Sequence, residues 1–166
     1  MTSRTPSRHV PLLPGRRLLA RVGLAAGCLL ALMAPLAAQA ADSMVSIKGS
    51  VVNMRDGPST SSNVLFKLAQ GFPLKVLERK GDWLQVEDFE NDRGWVSAPW
   101  TQNVAHHIVK GTLVNVRKGP GTEHPVVGQA KYGEIARTLA SQGDWVKVSL
   151  DGLPEGWIER SLLWGW

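Results

Sequence analysis

The 166 residues carry 19 lysines and arginines against 14 aspartates and glutamates, a formal net charge of +5, a balance that ordinarily raises nucleic acid or an anionic surface as a partner. The placement of the charge removes that reading: Arg4, Arg8, Arg16, Arg17 and Arg21 lie in the first 40 residues, where there is no acid, and removing these five leaves 14 basic against 14 acidic residues. The single cysteine, Cys28, lies in the same stretch, so the rest of the chain has no disulfide, no Cys-ligated metal and no thiol nucleophile.

Residues 1–40 read as an export signal: an Arg-bearing start, an uncharged apolar run from Val22 to Ala38, and Ala38-Gln39-Ala40 as a small-x-small cleavage site. A mature chain is expected to begin near Ala41. Three variants compete: an uncleaved anchor, since about 20 uncharged residues span a bilayer; a lipoprotein through Gly27-Cys28; and twin-arginine export through Arg16-Arg17. All three put the body outside the cytoplasm, in the periplasm or cell envelope, and a membrane partner follows only if the leader is retained.

Short alternating apolar runs bounded by turn formers come next, which predicts strands near 46–54, 64–68, 73–79, 83–88 and 94–98. Gly57-Pro58, Gly71, Gly81-Asp82 and the polar run 90–93 mark the turns. Shifting residues 48–100 by 62 positions lays them on 110–162 without a gap, and seventeen positions are identical. This internal repeat makes the class all-β, with two tandem small, strongly bent and partly open β-barrels at 44–100 and 106–164 and a linker at 101–105. Closure of so small a sheet would remove its exposed edges.

Three phrases recur in order in both copies: "VVNMRDGPST" and "LVNVRKGPGT", then "GDW", then "GW". This ordered set resembles the bacterial SH3 domain family, over nearly the whole stretch from Met44 to Trp164. The resemblance implies an SH3-like β-barrel in exported proteins and a role in binding peptidoglycan or its cross-bridge peptides. It carries Trp95, Trp157, Arg55 and Arg117 over as ligand-binding candidates.

The residues themselves add Trp83 and Trp145. In "WLQV" and "WVKV" the tryptophan shares its face with a polar residue while the apolar pair takes the other, and "GWVS" and "GWIE" repeat the pattern. Each copy therefore sets a tryptophan pair out of phase with its own core. Either each ring folds over a barrel end, or the pair forms an aromatic platform for sugar or peptide. For Asn53 and Asn115 the expectation is a tether to the following loop. Arg55 and Arg117 either cover the barrel end or offer a guanidinium to a ligand carboxylate. Trp164 is expected to close the second barrel.

No catalytic arrangement is legible. His106 and His107 are adjacent in the linker region, expected to be solvated and to point apart, so no metal is called for. Gly119-Pro120-Gly121 lacks a third glycine and a following helix, so it is not a phosphate loop. Asp88 and Glu90 fall in a polar turn without an apolar setting for acid/base work. The reading is a non-enzymatic binding module without cofactors. Its partner is peptidoglycan or, alternatively, an envelope protein or peptide; a purely structural accessory is the third reading.

Overall fold

The computed structural model describes residues 43–166, and the export signal expected at 1–40 lies outside them. The first repeat contributes β1 (Ser43–Ile47), β2 (Val51–Arg55), β3 (Val64–Ala69), β4 (Pro73–Lys80), β5 (Trp83–Glu87), β6 (Arg93–Ser97) and β7 (Thr101–Gln102). The second contributes β8 (His106–Val109), β9 (Leu113–Arg117), β10 (Val126–Lys131), β11 (Ile135–Gln142), β12 (Trp145–Ser149), β13 (Gly156–Glu159) and β14 (Leu163–Gly165). The strand orders are β3-β2-β6-β5-β4-β1-β7 and β10-β9-β13-β12-β11-β8-β14. The repeat seen in sequence is thus a repeat of topology, in two all-β sheets of seven strands.

Two features differ from the sequence reading. The run 46–54 is two strands, because the chain breaks at residues 48–50 around Gly49: β1 pairs with β4 and β7, whereas β2 pairs with β3 and β6. Thr101 and Gln102, expected in the linker, instead pair with Ile47 and Ser46 as β7. No pairing joins β3 to β7 or β10 to β14 among the described residues, so neither sheet closes into a barrel.

Each sheet wraps its inner face around its own core. Ile47, Val52, Met54, Leu68, Leu74, Val76, Leu84, Val86 and Val96 form the first. Val109, Val114, Val116, Ala130, Ala136, Val146, Val148, Leu150, Ile158 and Leu163 form the second. At about 1.5–3 kcal/mol for each large aliphatic side chain fully buried, these clusters are the main favourable term in each repeat. The long strand of each copy bends at a matched place, where the register shifts between Val76 and Glu78 and between Thr138 and Ala140. The repeated leucines, Leu77 and Leu139, are the extra residues of these bulges, which increase local twist.

The "GW" glycines answer a second geometric demand. A Cβ on Gly94 would lie 2.7 Å from Met54 Cγ and 2.9 Å from the Arg55 carbonyl oxygen, and one on Gly156 would lie 2.8 Å from the Arg117 carbonyl oxygen. Strands β6 and β13 therefore cross β2 and β9 at a distance that only glycine permits.

The repeats also touch directly. Val104 O accepts from Ser46 Oγ at 2.8 Å and bonds His106 Nδ1 at 2.9 Å, while the Thr138 amide donates to the Ala105 carbonyl. Tyr132 packs on Phe89 with ring centroids 5.5 Å apart, and its hydroxyl donates to Glu90 Oε1 at 2.7 Å. That hydrogen bond raises the Tyr132 phenol above its ordinary value.

The two histidines expected to be solvated are buried. They open β8, and burial comes with partners: the His107 ring lies between Thr138 Oγ1 at 2.7 Å and the Trp166 carbonyl at 2.7 Å. Its Nε2–H donates to that carbonyl and its Nδ1 accepts from the threonine. Burial, ahead of every other influence, pushes its pKa below the ordinary histidine value. Among the described residues no group of three or more His, Cys, Asp or Glu is placed to hold a metal ion.

Candidate functional site

Strand alternation sets the outward face of each copy. Leu84, Val86 and Val96 are buried in the core, while Trp83, Gln85, Trp95 and Ser97 stand on the other side, half-buried. In the second copy Val146, Val148 and Ile158 are the buried set, and Trp145, Lys147, Trp157 and Glu159 are half-buried. Within β5 and β6, Trp83 pairs with Ser97 and Gln85 with Trp95; within β12 and β13, Trp145 pairs with Glu159 and Lys147 with Trp157. Arg55 faces Trp95 across β2 and β6, and Arg117 faces Trp157 across β9 and β13. Each expected trio, Arg55 with Trp83 and Trp95 and Arg117 with Trp145 and Trp157, is therefore assembled on one sheet face.

In the first repeat this face is concave. A groove of about 380 Å³ is lined by Asn53, Arg55, Thr60, Trp83, Ser97 and Trp100, with residues 49–52 as its floor and edge. Trp95 stands beside Arg55 but outside the lining. Trp100 was not singled out by the sequence. It sits in the 3-10 turn Ala98–Trp100, where period-two alternation no longer applies, and it is 57% exposed. The second copy has Leu162 at the matching position, so Trp100 also falls outside the repeated set. The volume is within the roughly 300–1,000 Å³ common for small-ligand sites. A mixed lining of two indoles, a guanidinium, an amide and three hydroxyls suits a polar ligand with a flat or ring-shaped part.

The arginines have a structural task in both copies. Arg55 Nη1 donates to the Ser62 carbonyl at 2.6 Å, and Arg117 Nη1 donates to the His124 carbonyl at 2.9 Å. Each guanidinium thus holds the loop that follows the Gly-Pro turn. The asparagines do not make the tether expected of them. Asn115 Oδ1 accepts from Gln129 Nε2 on the neighbouring strand. In the first copy the loop is closed instead by Asp56, which accepts from the Asn63 amide and side chain.

Two further expectations are corrected. Trp164 does not close the second core; Leu163 does, being buried in it. Trp164 and Trp166 turn the other way and line a groove of about 710 Å³ with Met44, Lys75 and Asn103, shared between the repeats. Asp88 is buried rather than set in a solvated turn, and desolvation raises its carboxyl above the ordinary value. The Glu90 and Asp92 amides that donate to it oppose that rise and show its role, which is to hold the 88–92 turn. A larger depression, of about 940 Å³ and lined by Gln70, His106, Glu134, Arg137 and Asp151 among others, contains none of the expected site residues.

A bacterial SH3 domain model matches residues 50–102 and again 111–163. The chain is 26% identical over 118 residues to the Bacillus subtilis (strain 168) protein named "Putative N-acetylmuramoyl-L-alanine amidase YrvJ", covering 64% of this chain and 23% of that one. It is 25% identical over 118 residues to the Staphylococcus aureus "Probable cell wall amidase LytH", covering 58% of this chain and 40% of that one. The chain therefore spans well under half the length of these relatives. A solved NlpC/P60 family protein from Bacillus cereus ATCC 10987 aligns over 74% of this chain and 56% of its own, at 13% identity and a TM-score of 0.35. With two matched segments filling most of the described residues, the chain belongs to the bacterial SH3 domain family.

Proposed function

We propose that this chain is a non-catalytic, exported module of the cell envelope that binds peptidoglycan or its peptides. The observation that carries the reading is the first-repeat groove, in which Trp83 and Trp100 stand with Arg55, Asn53, Thr60 and Ser97. Indole rings offer a large rigid contact area to a sugar ring or peptide backbone, and the polar groups between them fix its orientation. The names of the amidase relatives, which act on cell-wall material by those names, support the same substrate class. Those relatives are longer than the matched region, which is a part of each.

The test is retention of the purified chain on washed murein sacculi at low and at moderate salt. The proposal expects retention at both, released by muramidase digestion. A chain that stays in the supernatant overturns it, and capture of one stoichiometric envelope protein, unaffected by muramidase, would transfer the function to an adaptor.

A further inference from the structure

The two repeats share a scaffold but differ at two positions of the same face. Where the first copy pairs Trp83 with Ser97, the second pairs Trp145 with Glu159. Where the first places Trp100 at the rim, the second places Leu162. The lining of the first groove contains Arg55 and no carboxylate, whereas the second face sets a carboxylate directly across from an indole.

We propose that the second repeat is an ammonium-selective site, in which Trp145 and Glu159 take a primary amine of the ligand. This rests on the reading that the outward faces bind wall peptide. Directly paired residues on antiparallel strands have Cβ atoms about 4.5–5.5 Å apart, so the indole and the carboxylate are immediate cross-strand neighbours, a pairing that favours cations over neutral amides. The neighbouring cations on this face are already engaged: Lys147 pairs with Glu155 at 2.9 Å, and Arg117 holds the His124 carbonyl. Ser161 Oγ donates to Glu159 Oε1 at 2.8 Å, which orients the carboxylate and leaves its second oxygen as an acceptor.

The probe is a pair of end-blocked tripeptides, Ala-Lys-Ala and its Nε-acetylated form, titrated into the full chain while the indole N–H resonances of the tryptophans are followed by NMR. The free amine is expected to shift the Trp145 resonance, with apparent affinity at least about tenfold weaker for the acetylated form. Glu159→Gln, which keeps shape and the serine contact, is expected to remove that difference. Ser97→Glu with Trp100→Leu is expected to transfer amine dependence to Trp83. Equal response to both peptides, no response to either, or an unchanged preference in Glu159→Gln overturns the proposal. Sacculus retention read in parallel separates the two claims: retention without amine preference defeats this one alone, and amine preference without retention defeats the wall reading alone.

Discussion

Gly94 and Gly156 stand one residue before the outward tryptophans because their strands pass close to the carbonyls of Arg55 and Arg117. Gly94→Ala is expected to destabilise the first repeat by about 1–3 kcal/mol, as overpacking does, measured by denaturant unfolding. Gly81→Ala, with φ +59° but nothing within 4 Å of the added methyl, should cost about 1–2 kcal/mol through the left-handed backbone alone. His107 supplies a pH-dependent prediction. Its folded pKa lies below the ordinary 6.5, so the unfolded chain binds the proton more readily, and stability falls as pH drops below about 6.5 until the folded pKa is reached. The slope contributed is at most about 1.4 kcal/mol per pH unit. Thermal unfolding between pH 7.5 and 5 should show it, and His107→Gln should flatten it. At this scale period-two alternation made the cores and the outward tryptophans legible. It could not reveal Trp100, which lies in a turn, or the burial of His107, whose partners Thr138 and Trp166 are 31 and 59 residues away in sequence.

Among the elements, strand existence was legible and strand division was not. Alternation ran through residues 46–54 because both halves bury apolar side chains, and only Gly49 signalled that β1 and β2 belong to different parts of the sheet. The bulges at Leu77 and Leu139 were equally silent: a single added residue inside an apolar strand leaves no turn former behind. Contact between the repeats left no signal in the sequence, and the structure assigns it to particular groups. The tilted pair Phe89–Tyr132 is one such contact that a substitution can probe. A double-mutant cycle with Phe89→Ala and Tyr132→Ala should give a coupling of about 0.5–1.5 kcal/mol. Tyr132→Phe, which keeps the ring and loses only the exposed bond to Glu90, should leave the unfolding midpoint nearly unchanged. A coupling near zero would mean that this ring pair adds nothing to the contact between the repeats.

For the molecule as a whole, two sheets fixed in tandem make two faces available to one polymer, and the second contact is then intramolecular. The first face has the deeper aromatic lining, through Trp83 and Trp100, and the second has the carboxylate of Glu159. Repetition in the sequence therefore spoke clearly about architecture, while the differences between copies, which alignment by identity discards, bear on ligand choice. The most direct measurement is the dissociation constant for washed sacculi of the parent chain beside a Trp83→Ala, Trp100→Ala variant, both confirmed folded by their unfolding transitions. Loss of two central aromatic contacts should weaken binding by about 2 kcal/mol or more, a factor of roughly thirty. Binding unchanged in the variant, or absent in the parent, would contradict the assignment of the groove as the wall site.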